Sequence, residues 1–169
     1  GYRRGRSTTS WGGGPPLRDA SGRYHLYLSE LANNCTLQSW VPNSRVNHVV
    51  ADAPEGPYTF HSTVFETFHH NPTVVKNPHP SQPSRPSQPS RPAAKGAGRA
   101  GGAAAGSYED AYLMYLIGGA MPPSTPGNCS SGRSDTRHLE SDILVSSAPS
   151  PEGPWSEPVG PLVARGSEQ

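Results

Sequence analysis

The stretch Tyr24-His-Leu-Tyr-Leu28 decides the fold, because a near copy of it, Tyr112-Leu-Met-Tyr-Leu116, recurs later in the chain. In the first copy, apolar residues on one face alternate with His25 and Tyr27 on the other. This period of two is the pattern of a β-strand. The sequence therefore predicts a strand in each copy, at an equivalent place in two related units.

The residues around these strands repeat as well. One unit has Trp11-Gly-Gly-Gly-Pro15 before its strand and Ala51-Asp-Ala-Pro-Glu-Gly-Pro-Tyr58 after it. The other has Phe68-His-His-Asn-Pro72 and Ala148-Pro-Ser-Pro-Glu-Gly-Pro-Trp155. Once Asn77–Ser107 is set aside, the interval from the opening proline to the strand is the same in both units. A repeat of roughly 60 residues is the size of a β-propeller blade.

Each unit reads as about four short strands separated by Pro- and Gly-rich turns, with no convincing helical period, which predicts an all-β fold. Trp40–Ser44 is predicted to be a loop. The predicted strands are Arg23–Ser29, Val46–Ala51 and Tyr58–Phe65 in the first unit, and Thr73–Lys76, Ala111–Ile117, Asp142–Ser147 and Trp155–Val163 in the second.

Composition divides the chain. It has 169 residues, of which 20 are Pro and 19 are Gly, and many of these lie in a Pro-, Gly- and Ala-rich insert that cannot bury a core. We expect the insert, residues 77–107, to be disordered. The other predicted parts are a disordered lead-in (1–10), the first blade with the start of the second (11–76), the remainder of the second blade (108–165) and a tail (166–169).

Several classes of function are disfavoured. A net charge of +1 gives no field that would attract nucleic acid, and no apolar run is long enough to span a bilayer. The histidines lack metal-ligand spacing, and there is no phosphate-binding loop or nucleophile elbow. We expect no metal and no cofactor.

The two cysteines each lie inside a sequon, Asn34-Cys35-Thr36 and Asn128-Cys129-Ser130. Paired sequons indicate a secretory or extracellular protein glycosylated at Asn34 and Asn128. A Cys35–Cys129 disulfide is compatible with that route, although the sequence leaves its geometry open.

The repeated segments resemble five-bladed β-propeller glycoside hydrolases of family 43 and their relatives over residues 11–76 and 108–165. The resemblance rests on the order of Trp11-Gly-Gly-Gly-Pro, Gly22-Arg-Tyr-His-Leu-Tyr, Asn43-Ser-Arg-Val, Pro54-Glu-Gly-Pro-Tyr and His70-Asn-Pro. It implies two four-stranded blades of an incomplete five-bladed propeller. Closing five such blades takes about 285 residues, so we expect a fragment or part of an assembly.

The resemblance also implies site residues. Such enzymes cleave with two carboxylates, and their blades often open with Asp-Pro, where this chain has Gly14 and Asn71 before proline. Glu66 and Glu140 are the remaining acid candidates, although a solvated surface role fits each of them better.

For substrate binding, the resemblance favours Trp11 stacking on a sugar ring, with His70 and Asn71 bonding hydroxyls. Packing between blades is the alternative for Trp11, and an ordinary loop histidine is the alternative for His70.

The sequence thus predicts a glycoside hydrolase-like propeller segment. The implied reaction is hydrolysis of glycosidic bonds in polysaccharide, and we expect this chain to lack that activity. The alternatives are a non-catalytic carbohydrate-binding module and an extracellular structural module that self-associates through open blade edges.

Overall fold

The computed structural model describes residues 9–66, 68–78, 112–118, 129 and 142–163. These residues form an all-β fold in which the helical pieces are turns of three or four residues, too short to cross a membrane. The strands are β1 (Ser10–Trp11), β2 (Leu17–Arg18), β3 (Tyr24–Leu31), β4 (Ser44–Ala51), β5 (Thr59–Phe65), β6 (His69–Lys76), β7 (Tyr112–Gly118) and β8 (Asp142–Ala148).

The first sheet has four antiparallel strand positions. Strands β1 and β2 pair with opposite ends of β3, so that they share one edge: Trp11 pairs with Ser29, and Leu17 pairs with His25. β3 then pairs with β4, and β4 with β5. We call this sheet blade 1.

The second sheet repeats that order. β6, β7 and β8 are antiparallel neighbours, and the segment after β8 runs along its outer edge. There Val145 and Val159 exchange two backbone hydrogen bonds, of 2.9 and 2.8 Å. This segment takes the fourth strand position of what we call blade 2. The predicted all-β fold is confirmed, and its two antiparallel sheets are compatible with two blades of an incomplete propeller.

The repeated Pro-Glu-Gly-Pro turn has the same geometry in both blades. Gly56 and Gly153 have φ values of 87° and 96°, a region that favours glycine. Each glycine donates its N–H to the carbonyl three residues earlier, at 3.0 Å. The turn places Tyr58 in blade 1 and Trp155 in blade 2 at equivalent positions.

The two blades pack face to face through an apolar core. Blade 1 contributes Tyr27 and Val46, and blade 2 contributes Val74, Met114 and Leu116. Val46 and Met114 are fully buried. Burial of such side chains is worth about 1.5–3 kcal/mol each, so this layer holds the blades together.

Some sequence-based boundaries were wrong. Trp40–Asn43 forms one turn of α-helix, α1, rather than a loop. β6 begins at His69 rather than Thr73, because its backbone pairs with β7 from there. The predicted strand Trp155–Val163 pairs as a strand only at Val159.

The domain boundaries stay predictions. β1 begins at Ser10, which the lead-in was predicted to include. The insert is outside the described residues, apart from Asn77 and Pro78, and the tail is wholly outside them.

Candidate functional site

An aromatic cluster lies where the first strands of the two blades meet. His70 of β6 is at its centre and contacts three other rings. The centroid of His70 is 5.6 Å from Trp11 of β1, with the rings stacked, and 4.8 Å from Trp40 of α1. It is 5.3 Å from Phe68. Trp11 and Trp40 also meet edge to face, at 5.7 Å.

Hydrogen bonds join the opening segments of the two blades beside this cluster. The Asn71 N–H donates to Ser29 Oγ at 2.8 Å, and the Gly14 N–H donates to the Pro72 carbonyl at 2.9 Å. The glycines of the Trp11–Pro15 stretch permit this approach. A Cβ on Gly12 would lie 2.3 Å from Asn71 Oδ1, and one on Gly13 would lie 2.5 Å from the Tyr27 carbonyl.

Asn71 has an unusual backbone. Its φ is +52°, in the left-handed region that few residues other than glycine occupy, and it precedes Pro72, which restricts it further. Its bond to Ser29 and the pairing of Pro72 with Gly14 hold it there. Such residues concentrate at functional sites, where surrounding contacts over-determine the conformation.

The cluster has buried polar edges and partly exposed rings. Trp11 Nε1 and His70 Nδ1 are buried and have no hydrogen-bond partner among the described residues. Trp11, Trp40 and Asn71 remain partly exposed, whereas His70 is only 2% exposed. Burial, followed by the nearby His69, lowers the pKa of His70 to about 4. His70 is therefore neutral at pH 7.

The structure thus brings together the three residues that the sequence assigned to substrate binding, Trp11, His70 and Asn71. It adds Trp40, which sequence analysis missed because its segment was predicted to be a loop. The position of Trp40 just after the cysteine-containing turn gave no periodic signal that could have identified it.

The pairing of the predicted catalytic carboxylates stays a prediction, because only Glu66 lies among the described residues. Glu66 is exposed after β5, and its backbone carbonyl accepts a hydrogen bond from His69 Nδ1 at 2.8 Å. Glu140 lies outside the described residues. Glu30, which sequence analysis missed, is the acidic residue that the described fold buries, and its Oε1 accepts from Arg45 Nη2 at 2.5 Å.

A second polar cluster, also missed, lies on the face of blade 1 that packs against blade 2. His25 and His48 are fully buried, and His25 Nδ1 is 2.9 Å from His48 Nε2. His25 Nε2 is 3.1 Å from Asp19 Oδ2. Hydrogen bonds from Ser21 and then His25 lower the pKa of the Asp19 carboxyl. The sequence signal that could have indicated this cluster was the position of His25, which shares one face of β3 with Tyr27.

The hydrogen bonds of this cluster leave one ring nitrogen of His48 without a partner. A carboxylate only accepts, so His25 Nε2–H donates to Asp19. One hydrogen bond joins His25 Nδ1 and His48 Nε2. His48 Nδ1 is buried and has no hydrogen-bond partner among the described residues. Burial, followed by His61 and His25, lowers the pKa of His48 to about 3.

The cysteines form a disulfide, Cys35–Cys129, with a Cα–Cα distance of 5.1 Å. Cys35 is buried, and the preceding Asn34, a predicted glycosylation residue, is exposed. Asn128, the other predicted glycosylation residue, lies outside the described residues.

The described part of the chain contains no group of three or more His, Cys, Asp or Glu side chains that could hold a metal ion. A comparison with known proteins finds no protein-family model and no curated protein that this chain matches.

Proposed function

We propose that this chain is a glycosidase-like propeller segment that binds carbohydrate at the aromatic cluster and does not cleave it. The observation that carries the proposal is the strained Asn71 beside two partly exposed tryptophans. Aromatic faces offer apolar area to the C–H surface of a sugar ring, and an amide bonds its hydroxyls.

Each residue has a distinct role in this proposal. Trp11 and Trp40 retain exposed surface on which a sugar ring stacks, and the Asn71 amide bonds a hydroxyl. His70 is too buried to form the binding surface. Its contacts with both indoles support a positioning role, in which it fixes the angle between them.

The proposal that the chain does not cleave carbohydrate rests on the residues that the structure describes. Hydrolysis needs an acid and a second carboxylate on opposite sides of the glycosidic bond. Gly14 and Asn71 occupy the blade-opening positions where the resembled enzymes often carry Asp, and neither can act as an acid or a base. The carboxylate of Glu30 is engaged by Arg45. In this proposal the protein is secreted and glycosylated, and it binds plant or algal polysaccharide outside the cell.

Calorimetric titration of the full chain with soluble xylan, arabinan and agar-derived oligosaccharides tests the proposal. We expect binding without release of reducing ends. Trp40→Ala should weaken binding at least about tenfold, because an aromatic contact is worth about 1 kcal/mol or more beyond its area. Asn71→Gly should weaken it while keeping the backbone, since glycine accepts a positive φ.

The matched control is Leu37→Ala, an exposed apolar residue near Trp40, which should bind as the native chain does. Circular dichroism verifies that each variant folds. Unchanged affinity in a folded Trp40→Ala variant would rule out the cluster as the site. Release of sugar by the native chain would rule out the non-catalytic assignment.

A further inference from the structure

The internal repeat makes each residue of blade 2 comparable with its counterpart in blade 1. Tyr27 pairs with His48 across blade 1, and Tyr115 pairs with Val145 across blade 2. In the same register, Val46 of β4 corresponds to Ile143 of β8, because Ser29 pairs with the first and Ile117 with the second. Equivalent residues thus lie on equivalent faces of the two sheets.

In blade 1, this face is covered by blade 2. Tyr27 is 3% exposed: its hydroxyl donates to the Pro151 carbonyl, and its ring meets Trp155 edge to face at 5.5 Å. Val46 is completely buried in the interblade core. The Pro151–Trp155 turn of the following blade therefore covers the tyrosine of the preceding one.

In blade 2, part of the equivalent face is exposed, although Leu113 and Val145 on that face are buried. Tyr115 is 37% exposed and Ile143 is 46% exposed, although their counterparts in blade 1 are buried. Val75 and Val159 share this face, as the strand register shows, and are 37% and 41% exposed. We call Val75, Tyr115, Ile143 and Val159 the open face of blade 2. Exposed apolar side chains grouped on one face of a sheet indicate an interaction surface.

Blade 1 has a partly exposed apolar surface on its other face, around the buried side chains of Leu28 and Tyr58. Met114 of blade 2 is fully buried against blade 1, but its counterpart Leu26 is only partly buried, as are the adjacent Tyr24 and Phe60. The Pro54–Tyr58 turn of blade 1 has the geometry of the Pro151–Trp155 turn. The two kinds of surface that meet between the blades are thus also present on the outer faces of blade 2 and blade 1.

We propose that a second copy of this chain docks head to tail, with its blade 1 packed on the open face of blade 2. Tyr115 of one copy then meets the Pro54–Tyr58 turn of the next copy, as Tyr27 meets Pro151–Trp155 within one chain. Because the two surfaces differ, the contact is heterologous, and successive copies close into a ring or extend as a filament. The existing interblade contact is the template for this interface.

Sedimentation velocity of the full chain over a range of concentrations tests the proposal. The native chain should associate increasingly with concentration. Ile143→Glu places a charge in the interface and should weaken association at least about tenfold. Leu37→Glu, at a residue 50% exposed and away from the open face, should associate as the native chain does. A native chain that stays monomeric up to about 100 µM would overturn the proposal.

Mixing variants separates head-to-tail docking from pairing of two open faces. Leu26→Glu disables the blade 1 surface and should be monomeric alone, as Ile143→Glu is. Mixed together, the two variants retain one intact surface each and should form a 1:1 heterodimer. Association of Leu26→Glu by itself at the native level would overturn the head-to-tail arrangement. If Leu26→Glu does not fold, Tyr24→Glu on the same surface replaces it.

Discussion

Acidification should destabilise the fold through His48, and His48→Gln should remove that part of the effect. His48 is fully buried between the blades and stacks on Tyr27 at 4.7 Å. His25 Nδ1 lies 2.9 Å from His48 Nε2, the His61 ring centroid lies 4.6 Å from that of His48, and the charge of Arg23 disfavours protonation of His48. A proton added to His48 Nδ1 would enter a place with no acceptor among the described residues.

The direction and the size of the change in unfolding free energy with pH follow from the pKa of His48. It is about 3 in the folded chain and about 6.5 when unfolded. Between these values the unfolded state binds a proton that the folded state does not, so stability falls as pH falls. The slope approaches about 1.4 kcal/mol per pH unit once the unfolded histidine is protonated, which gives a loss of about 2 kcal/mol between pH 6.5 and 4.5. That is a large fraction of the 5–15 kcal/mol typical of a domain.

Urea unfolding measured at several pH values, followed by tryptophan fluorescence, checks this prediction. In His48→Gln, the slope of the unfolding free energy against pH should decrease by the amount that corresponds to about one proton. Val49→Ala on the same strand is the control. Val49 is fully buried, so its truncation should lower stability by about 2 kcal/mol and leave the slope unchanged. An unchanged slope in His48→Gln, or an equal drop in Val49→Ala, would refute the reasoning.

Three further predictions concern the joint between the blades and the disulfide. Gly13→Ala should lower the melting temperature by placing a Cβ 2.5 Å from the Tyr27 carbonyl at a φ of +135°; a thermal scan that matches the native chain contradicts the close approach. Tyr27→Phe should cost about 1–2 kcal/mol, because it leaves the buried Pro151 carbonyl unpaired, whereas Tyr115→Phe should cost little; equal losses in urea unfolding would contradict the contact. Replacing Cys35 and Cys129 by serine should destabilise by up to about 4.7 kcal/mol, the loop entropy for a separation of 94 residues; unchanged urea unfolding would show that the bond does not constrain the unfolded chain.

The strand pattern could be predicted because it depends on local alternation and on turn residues. Tyr24–Leu28 and its copy read directly as strands, and Gly56 and Gly153 mark turns that only a few residue types can form. The helical turn at Trp40–Asn43 could not be predicted from periodicity, since four residues are too few to show a helical period.

The site could be predicted only in part. Trp11, His70 and Asn71 were identified because they open the two repeats. Trp40 reaches the cluster from another segment, and Glu30 and His48 are buried by partners distant in the sequence. Contacts of that kind depend on tertiary packing, which a single sequence does not display.

The most direct test of the account is a nuclear magnetic resonance titration that follows the indole N–H signals of the three tryptophans. Trp11 and Trp40 line the proposed carbohydrate site, whereas Trp155 packs in the interblade core and is an internal control. With the oligosaccharide that binds in calorimetry, the account predicts saturable shifts of the Trp11 and Trp40 signals and a stationary Trp155 signal. Stationary Trp11 and Trp40 signals at saturating oligosaccharide would contradict it.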